Sequence, residues 1–251
     1  MVDSDDFRNK QGLIHNNIDR AMKRRINMRR LFDEELADLD NSFTEMGMLV
    51  AQTIQKSVQS FVDHDREGAK AILENDHQIN EREAAIEKKT FEMIALYQPV
   101  TTDLREIVTI LKAVSVLERM GDQARNIANS TIRVKGTKHI SSVEKALGEM
   151  GEQVATMVST VMDYYIKNDA LGAESIAEEN QTLSKRAAQV RFDSVEGMKE
   201  DAELVDSAAD YLVIAGYLKR IGDYTTDIAE WIVYKRTGKI IELNPGYNYF
   251  I

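Results

Sequence analysis

Residues 45–76 read EMGMLVAQTIQKSVQSFVDHDREGAKAILEND, and residues 149–180 read EMGEQVATMVSTVMDYYIKNDALGAESIAEEN. Laid over each other without a gap, Glu45, Met46, Gly47, Val50, Ala51, Asp65, Gly68, Ala69, Ile72 and Glu74 fall on identical residues, and Phe61 falls on Tyr165. Further along, LERMGDQARNIA (117–128) lies over LKRIGDYTTDIA (218–229), matching Arg119, Gly121 and Asp122 to Arg220, Gly222 and Asp223. The register shifts slightly between the two blocks, so a small length difference lies between them. So long a period excludes a solenoid of short repeats and implies a duplicated domain.

Each half divides into three helices. In the first, Phe43, Met46, Leu49, Val50, Ile54, Val58, Phe61 and Val62 recur at helical spacing. Asp65 is placed to cap a second helix through Ile72, Ile79, Ile86 and Ile94. Pro99 marks the start of a third helix, and Gly136 is placed to end it. The second half repeats the plan over 143–166, 171–198 and 203–236, with Gly238 after. The expected fold is all-α: two tandem, pseudo-symmetric three-helix bundles of six long helices. Residues 31–137 form the first bundle and 138–243 the second. Residues 1–30 are an N-terminal arm or extra helix, and 244–251 a tail.

Composition agrees with this plan. The 251 residues contain 2 prolines and 13 glycines, where average usage would give about a dozen prolines. Six long helices need few turns. With 0 cysteines, disulfides and thiolate metal sites are excluded. A net charge of −10 speaks against nucleic acid as a partner, because phosphate contacts dominate that affinity. No signal peptide and no run long enough to span a membrane is evident. The expectation is therefore a cytoplasmic helical protein without membrane insertion.

The repeated LxRxGD segments carry the chemistry. Glu118 and Asp122 stand one helical turn apart, and Asn126 continues their line. In the second half the line is Lys219, Asp223 and Asp227. Like charges at this spacing repel, and carboxylates near a bundle seam require a counter-ion or a metal. Salt bridges to Arg119 and Arg125 are one solution. A hard cation held by oxygen ligands is the other. Gly121 and Gly222 each cost about 1 kcal/mol relative to alanine in a helix interior, so their recurrence implies a close approach or room for a ligand. Glu74-x-x-His77 is a single match to the di-iron bundle pattern, and its counterpart is Glu178-x-x-Gln181. No nucleotide loop, serine elbow or zinc-protease motif is present, so nothing in the sequence argues for an enzyme.

The duplicated bundles, LERMGD at 117–122, KRIGD at 219–223 and YQPVTTDLR at 97–105 resemble the PhoU family over about residues 31–243. The resemblance implies a non-enzymatic regulator of phosphate uptake and phosphate-starvation signalling. It also implies coupling between the ATPase of a phosphate ABC transporter and a sensor histidine kinase, with homodimers common. It implies metal-binding E(D)xxxD motifs on the bundle surface, carried here by Glu118, Asp122 and Asp223, with Asp227 one turn on. Asn126 and Lys219 are neighbours. Asp103, Arg105, Arg119, Gly121, Arg220 and Gly222 belong to the shared motifs. The ion would be divalent or trivalent with oxygen ligands: Fe, Mn, Mg, Zn or Ca. Lys219 stands where the pattern has glutamate, so the second site is expected to bind metal more weakly or to shift toward Asp227. The competing readings are a metal storage or oxidising bundle and a purely structural helical tether.

Overall fold

The computed structural model describes the backbone over residues 4–133 and 138–243, and the side chains from residue 22 onward within those ranges, residue 24 excepted. Gly136 and the tail 244–251 lie outside the described residues. The described chain forms seven α-helices and one 3₁₀ turn. These are α1 (Ser4–Val62), α2 (Arg66–Asn75), α3 (His77–Tyr97), α4 (Thr101–Arg133), α5 (Ser141–Lys167), α6 (Ala170–Glu200) and α7 (Val205–Thr237), with the turn at Ala202–Leu204. Helix α1, α2 with α3, and α4 make the first bundle. Helices α5, α6 and α7 make the second.

Three boundaries differ from the sequence reading. Residues 4–30 continue α1 without a break at residue 30. Helix α1 holds no proline, and its glycines are Gly12 and Gly47 alone, so nothing local interrupts it at residue 30. At 59 residues the helix is about 90 Å long. The expected second helix is broken at Asp76 into α2 and α3. Pro99 does not begin α4. It follows the left-handed cap Gln98 (φ 49°), whose N–H reaches Ile94 O, so it stops α3.

The duplication is visible in the caps. Asp65 Oδ1 accepts from Gly68 N at 3.0 Å, and Asp169 Oδ1 from Gly172 N at 2.9 Å. Before each cap the chain turns through a left-handed residue, His64 (φ 54°) or Asn168 (φ 51°). Arg82 pairs with Glu45 at 3.2 Å, and Arg186 with Glu149 at 3.5 Å, at matching places. Gly238, also left-handed (φ 74°), ends α7 with its N–H on Tyr234 O.

The two bundles share one continuous core rather than owning one each. Helix α1 packs on α5 and α4 on α7, with α2–α3 outside α1 and α4 and with α6 outside α5 and α7. The seam between α1 and α5 is reciprocal. A Cβ on Gly47 would sit 2.6 Å from Met162 Cγ, and one on Gly151 would sit 2.5 Å from Val58 Cγ1. By the repeat, Gly47 corresponds to Gly151 and Val58 to Met162, so each half receives the other's side chain against a bare backbone. Phe43, Met46, Val50, Ile54, Val58 and Phe61 are all buried there, as their spacing predicts. Polar contacts cross the seam as well. Tyr165 donates to Asp40, and Lys235 pairs with Glu106 at 2.6 Å and lies 4.0 Å from the Tyr165 ring centroid.

Candidate functional site

Glu118 and Asp122 sit half-buried on α4 with their ladder facing α3, and Asn126 follows on the same line. The fold brings two further carboxylates to them: Glu83 of α3 and Asp76 at the α2–α3 break. Burial first, then the charges of Asp122 and Glu83, push the Glu118 carboxyl up. Burial also raises Glu83, with Glu87 and Asp122 adding to it. Asp76 is raised by burial against the pull of Arg125, whose Nε lies 3.4 Å away. Each shift has the sign expected when ionised oxygens are desolvated together. A cation would offset both the burial and the mutual repulsion, so this all-oxygen donor set fits a hard metal ion. Among the described residues only His64, His139 and Glu144 bring three candidate ligand atoms within 4.8 Å of one another. The ladder is therefore a spread of carboxylates, suited to an ion that keeps several waters.

The second half lacks this arrangement. Asn180 stands where Asp76 does, Ala187 where Glu83 does, and Lys219 where Glu118 does. Lys219 Nζ donates to Asp223 Oδ2 at 2.6 Å, and Asn180 Nδ2 donates to Asp223 Oδ1 at 3.0 Å. Both oxygens of Asp223 are thus served by protein donors, and the donor set does not fit a cation. Asp227 points elsewhere, into a cleft of about 520 Å³ lined by Arg119, Ser115, Trp231 and Phe91. Burial, then Asp223, raises its carboxyl, while Arg119 pulls it down. Of the two ladders expected, the first keeps Glu118 and Asp122 beside α3, while in the second Asp223 is engaged by Lys219 and Asn180 and Asp227 lines the cleft.

The glycines of the LxRxGD segments are occupied by neighbours. A Cβ on Gly121 would meet Ile79 Cδ1 at 2.8 Å, and one on Gly222 would meet Leu183 Cδ2 at 2.4 Å. Ile79 and Leu183 are themselves repeat partners, so these glycines let the outer helix approach α4 and α7. Asp103 pairs with Arg29 of α1, tying the start of α4 to the N-terminal part of the long helix. The Arg105 guanidinium lies against Gly238 at the end of α7. Arg220 is exposed. Asp76 and Glu83 are the contributors that motif reading missed. Extending the repeat past Asp76 would have exposed them, because their counterparts are the uncharged Asn180 and Ala187.

Fold and site together define a duplicated three-helix-bundle protein with one acidic ladder on its surface. Among the described residues no helix is long and apolar enough to cross a membrane. The PhoU domain family model matches residues 43–131 and 147–232. A phosphate-specific transport system accessory protein PhoU homolog from Streptococcus pneumoniae is 33% identical over 217 residues, 86% of this chain and 100% of that protein. The homolog from Clostridium acetobutylicum is 30% identical, covering 86% of this chain and 99% of its own. The crystal structure of the regulatory protein PhoU from S. pneumoniae superposes with a TM-score of 0.79 at 32% identity, over 84% of this chain and 99% of that one. PhoU from Pseudomonas aeruginosa gives 0.77 at 30% identity, over 83% and 100%. The chain belongs to the PhoU family.

Proposed function

We propose that this protein is a non-enzymatic regulator of phosphate uptake and phosphate-starvation signalling. In this reading it works in the cytoplasm as a homodimer and couples the ATPase subunit of a phosphate ABC transporter to a sensor histidine kinase. The observation that carries the reading is the end-to-end match to proteins named as phosphate-transport accessory proteins, covering 99% or more of two of them. The seam supports an adaptor, since one continuous core ties the two bundles together. A divalent or trivalent cation belongs to the first half, held by Glu118 and Asp122 with Glu83 and Asp76 alongside.

A storage or oxidising bundle is the less supported reading. His77, its only histidine in the Glu-x-x-His pattern, is exposed and its Nδ1 lies 3.0 Å from the Glu74 backbone carbonyl. That is a local helix contact rather than one aimed into the core. The test is affinity capture with the tagged full chain from cells grown in ample and in scarce phosphate. The adaptor reading expects the transporter ATPase and a sensor kinase among the captured proteins. Recovery of neither contradicts it.

A further inference from the structure

A second cluster of ligand-bearing side chains lies outside the acidic ladder, where the first bundle's α1–α2 turn meets the start of α5. Glu144 is buried, and its Oε1 accepts from Tyr211 Oη at 2.9 Å. His64 Nε2 lies 3.6 Å from Glu144 Oε2, and His139 Nδ1 lies 3.1 Å from Oε1. The imidazole centroids are 4.3 Å apart. His139 Nδ1 is shielded from solvent and has no hydrogen-bond partner among the described residues. A buried polar atom without a partner is rare and costly. It lies at ion-pair distance from the buried Glu144 carboxylate, without the geometry of a hydrogen bond.

The repeat shows a matching carboxylate elsewhere. Glu144 corresponds to Asp40, another largely buried carboxylate that accepts from a tyrosine, Tyr165. At Asp40 the nearby positive charge is Lys235. At Glu144 the ion-pair partners among the described residues are two imidazoles. The turn also differs in a telling way. Residue 64 is His where its counterpart is Asn168, and both hold the same left-handed backbone. Asparagine is a usual occupant of that conformation, so the imidazole is the added feature.

We propose that His64, His139 and Glu144 bind a divalent transition-metal ion of the Zn²⁺ type, clamping the first bundle's turn to the second bundle's first helix. Across a tetrahedral ion with bonds of about 2.0–2.1 Å, ligand atoms stand about 3.3 Å apart. The 3.1 and 3.6 Å separations, each to a different oxygen of Glu144, lie near that value, and the three candidate ligand atoms all lie within 4.8 Å of one another. Two imidazoles and one carboxylate leave a fourth position for water, and the exposed edge of His64 gives access. Tyr211 orients the carboxylate from behind, the usual part of an outer hydrogen bond at a metal centre. Such nitrogen-rich donors select a different ion from the all-oxygen ladder, so the two sites stand or fall separately.

The test uses the full chain, stripped with chelator and titrated with Zn²⁺ slightly above neutral pH. Long-range ¹H–¹⁵N spectra of the histidine side chains report which rings respond. His64 and His139 should shift, while His15 and His77 stay in place. The affinity should fall about tenfold or more in His64→Asn and in His139→Asn, and stay unchanged in Asp122→Asn. His64→Asn restores the residue of the repeat counterpart, so its fold is safe. Shifts in no ring, or in any other set of rings, overturn the proposal, as does an affinity unchanged in His64→Asn.

Discussion

The two halves of this protein have kept their packing and parted in their charge. Around Gly121 and Gly222 the geometry is nearly the same, with Ile79 and Leu183 packed so close to bare helix backbone that an added Cβ would meet them at 2.8 and 2.4 Å. One turn away the chemistry diverges. The first half gathers Asp76, Glu83, Glu118 and Asp122, and burial raises three of these carboxyls. The second half holds Asn180, Ala187, Lys219 and Asp223, closed by two short hydrogen bonds. Duplication supplies two sites of one shape. Three residue differences separate the acidic patch of the first half from the self-satisfied polar contact of the second.

The retained packing is the easier part to break, and its expected effect is the largest in stability. Gly151→Ala puts a Cβ 2.5 Å from Val58 Cγ1 and 2.7 Å from its Cβ, where a β-branched side chain has little freedom to move. Overpacking costs about 1–3 kcal/mol, against about 1 kcal/mol gained in helix propensity. Gly47→Ala meets the flexible end of Met162 instead. Chemical denaturation should find Gly151→Ala the more destabilised of the two. Equal effects would count against the reciprocal seam as described.

A smaller effect separates the ladders without metal. Glu118 and Asp122 repel at one turn's spacing, so Glu118→Gln should stabilise the metal-free protein by about 0.2–0.5 kcal/mol at neutral pH. The folded-state carboxyl of Glu118 is raised, so the folded protein favours its protonated form. Its charge costs stability once the pH rises through that raised value, and costs nothing below the usual carboxylate range. The gain from Gln must therefore fade as the pH drops through that window. Lys219→Gln should act in the opposite direction by a similar amount, because it removes the pair with Asp223. Urea melts at two pH values read both signs, and a Lys219→Gln variant that gains stability would break the comparison.

Much of this was legible in the chain. The buried positions of α1 and α4 follow helical spacing because one apolar stripe faces one core, and Asp65 and Asp169 announce their caps by residue type. The boundaries that escaped are those set by non-local forces. The break at Asp76 carries no proline or glycine, and the junction of residues 4–30 with the rest of α1 carries no stop signal. Of the site, Glu118 and Asp122 are visible as a local i, i+4 pair. Asp76 lies at the α2–α3 break and Glu83 on α3, so only packing brings them there. His64, His139 and Glu144 have no shared linear motif at all. They meet because α5 starts beside the turn that ends α1. The contact of Lys219 with Asp223 also lies within one turn, so it too can be read from the sequence.

The central claim is that the first ladder, and not the second, is where this protein holds a hard cation. Mn²⁺ titrated into the metal-free full chain tests it, because that ion prefers the oxygen donors of the ladder to imidazole. The account predicts that Asp122→Asn weakens binding by about 10–100-fold, while Asp223→Asn leaves it within about threefold of the parent. Equal losses from the two substitutions would contradict it.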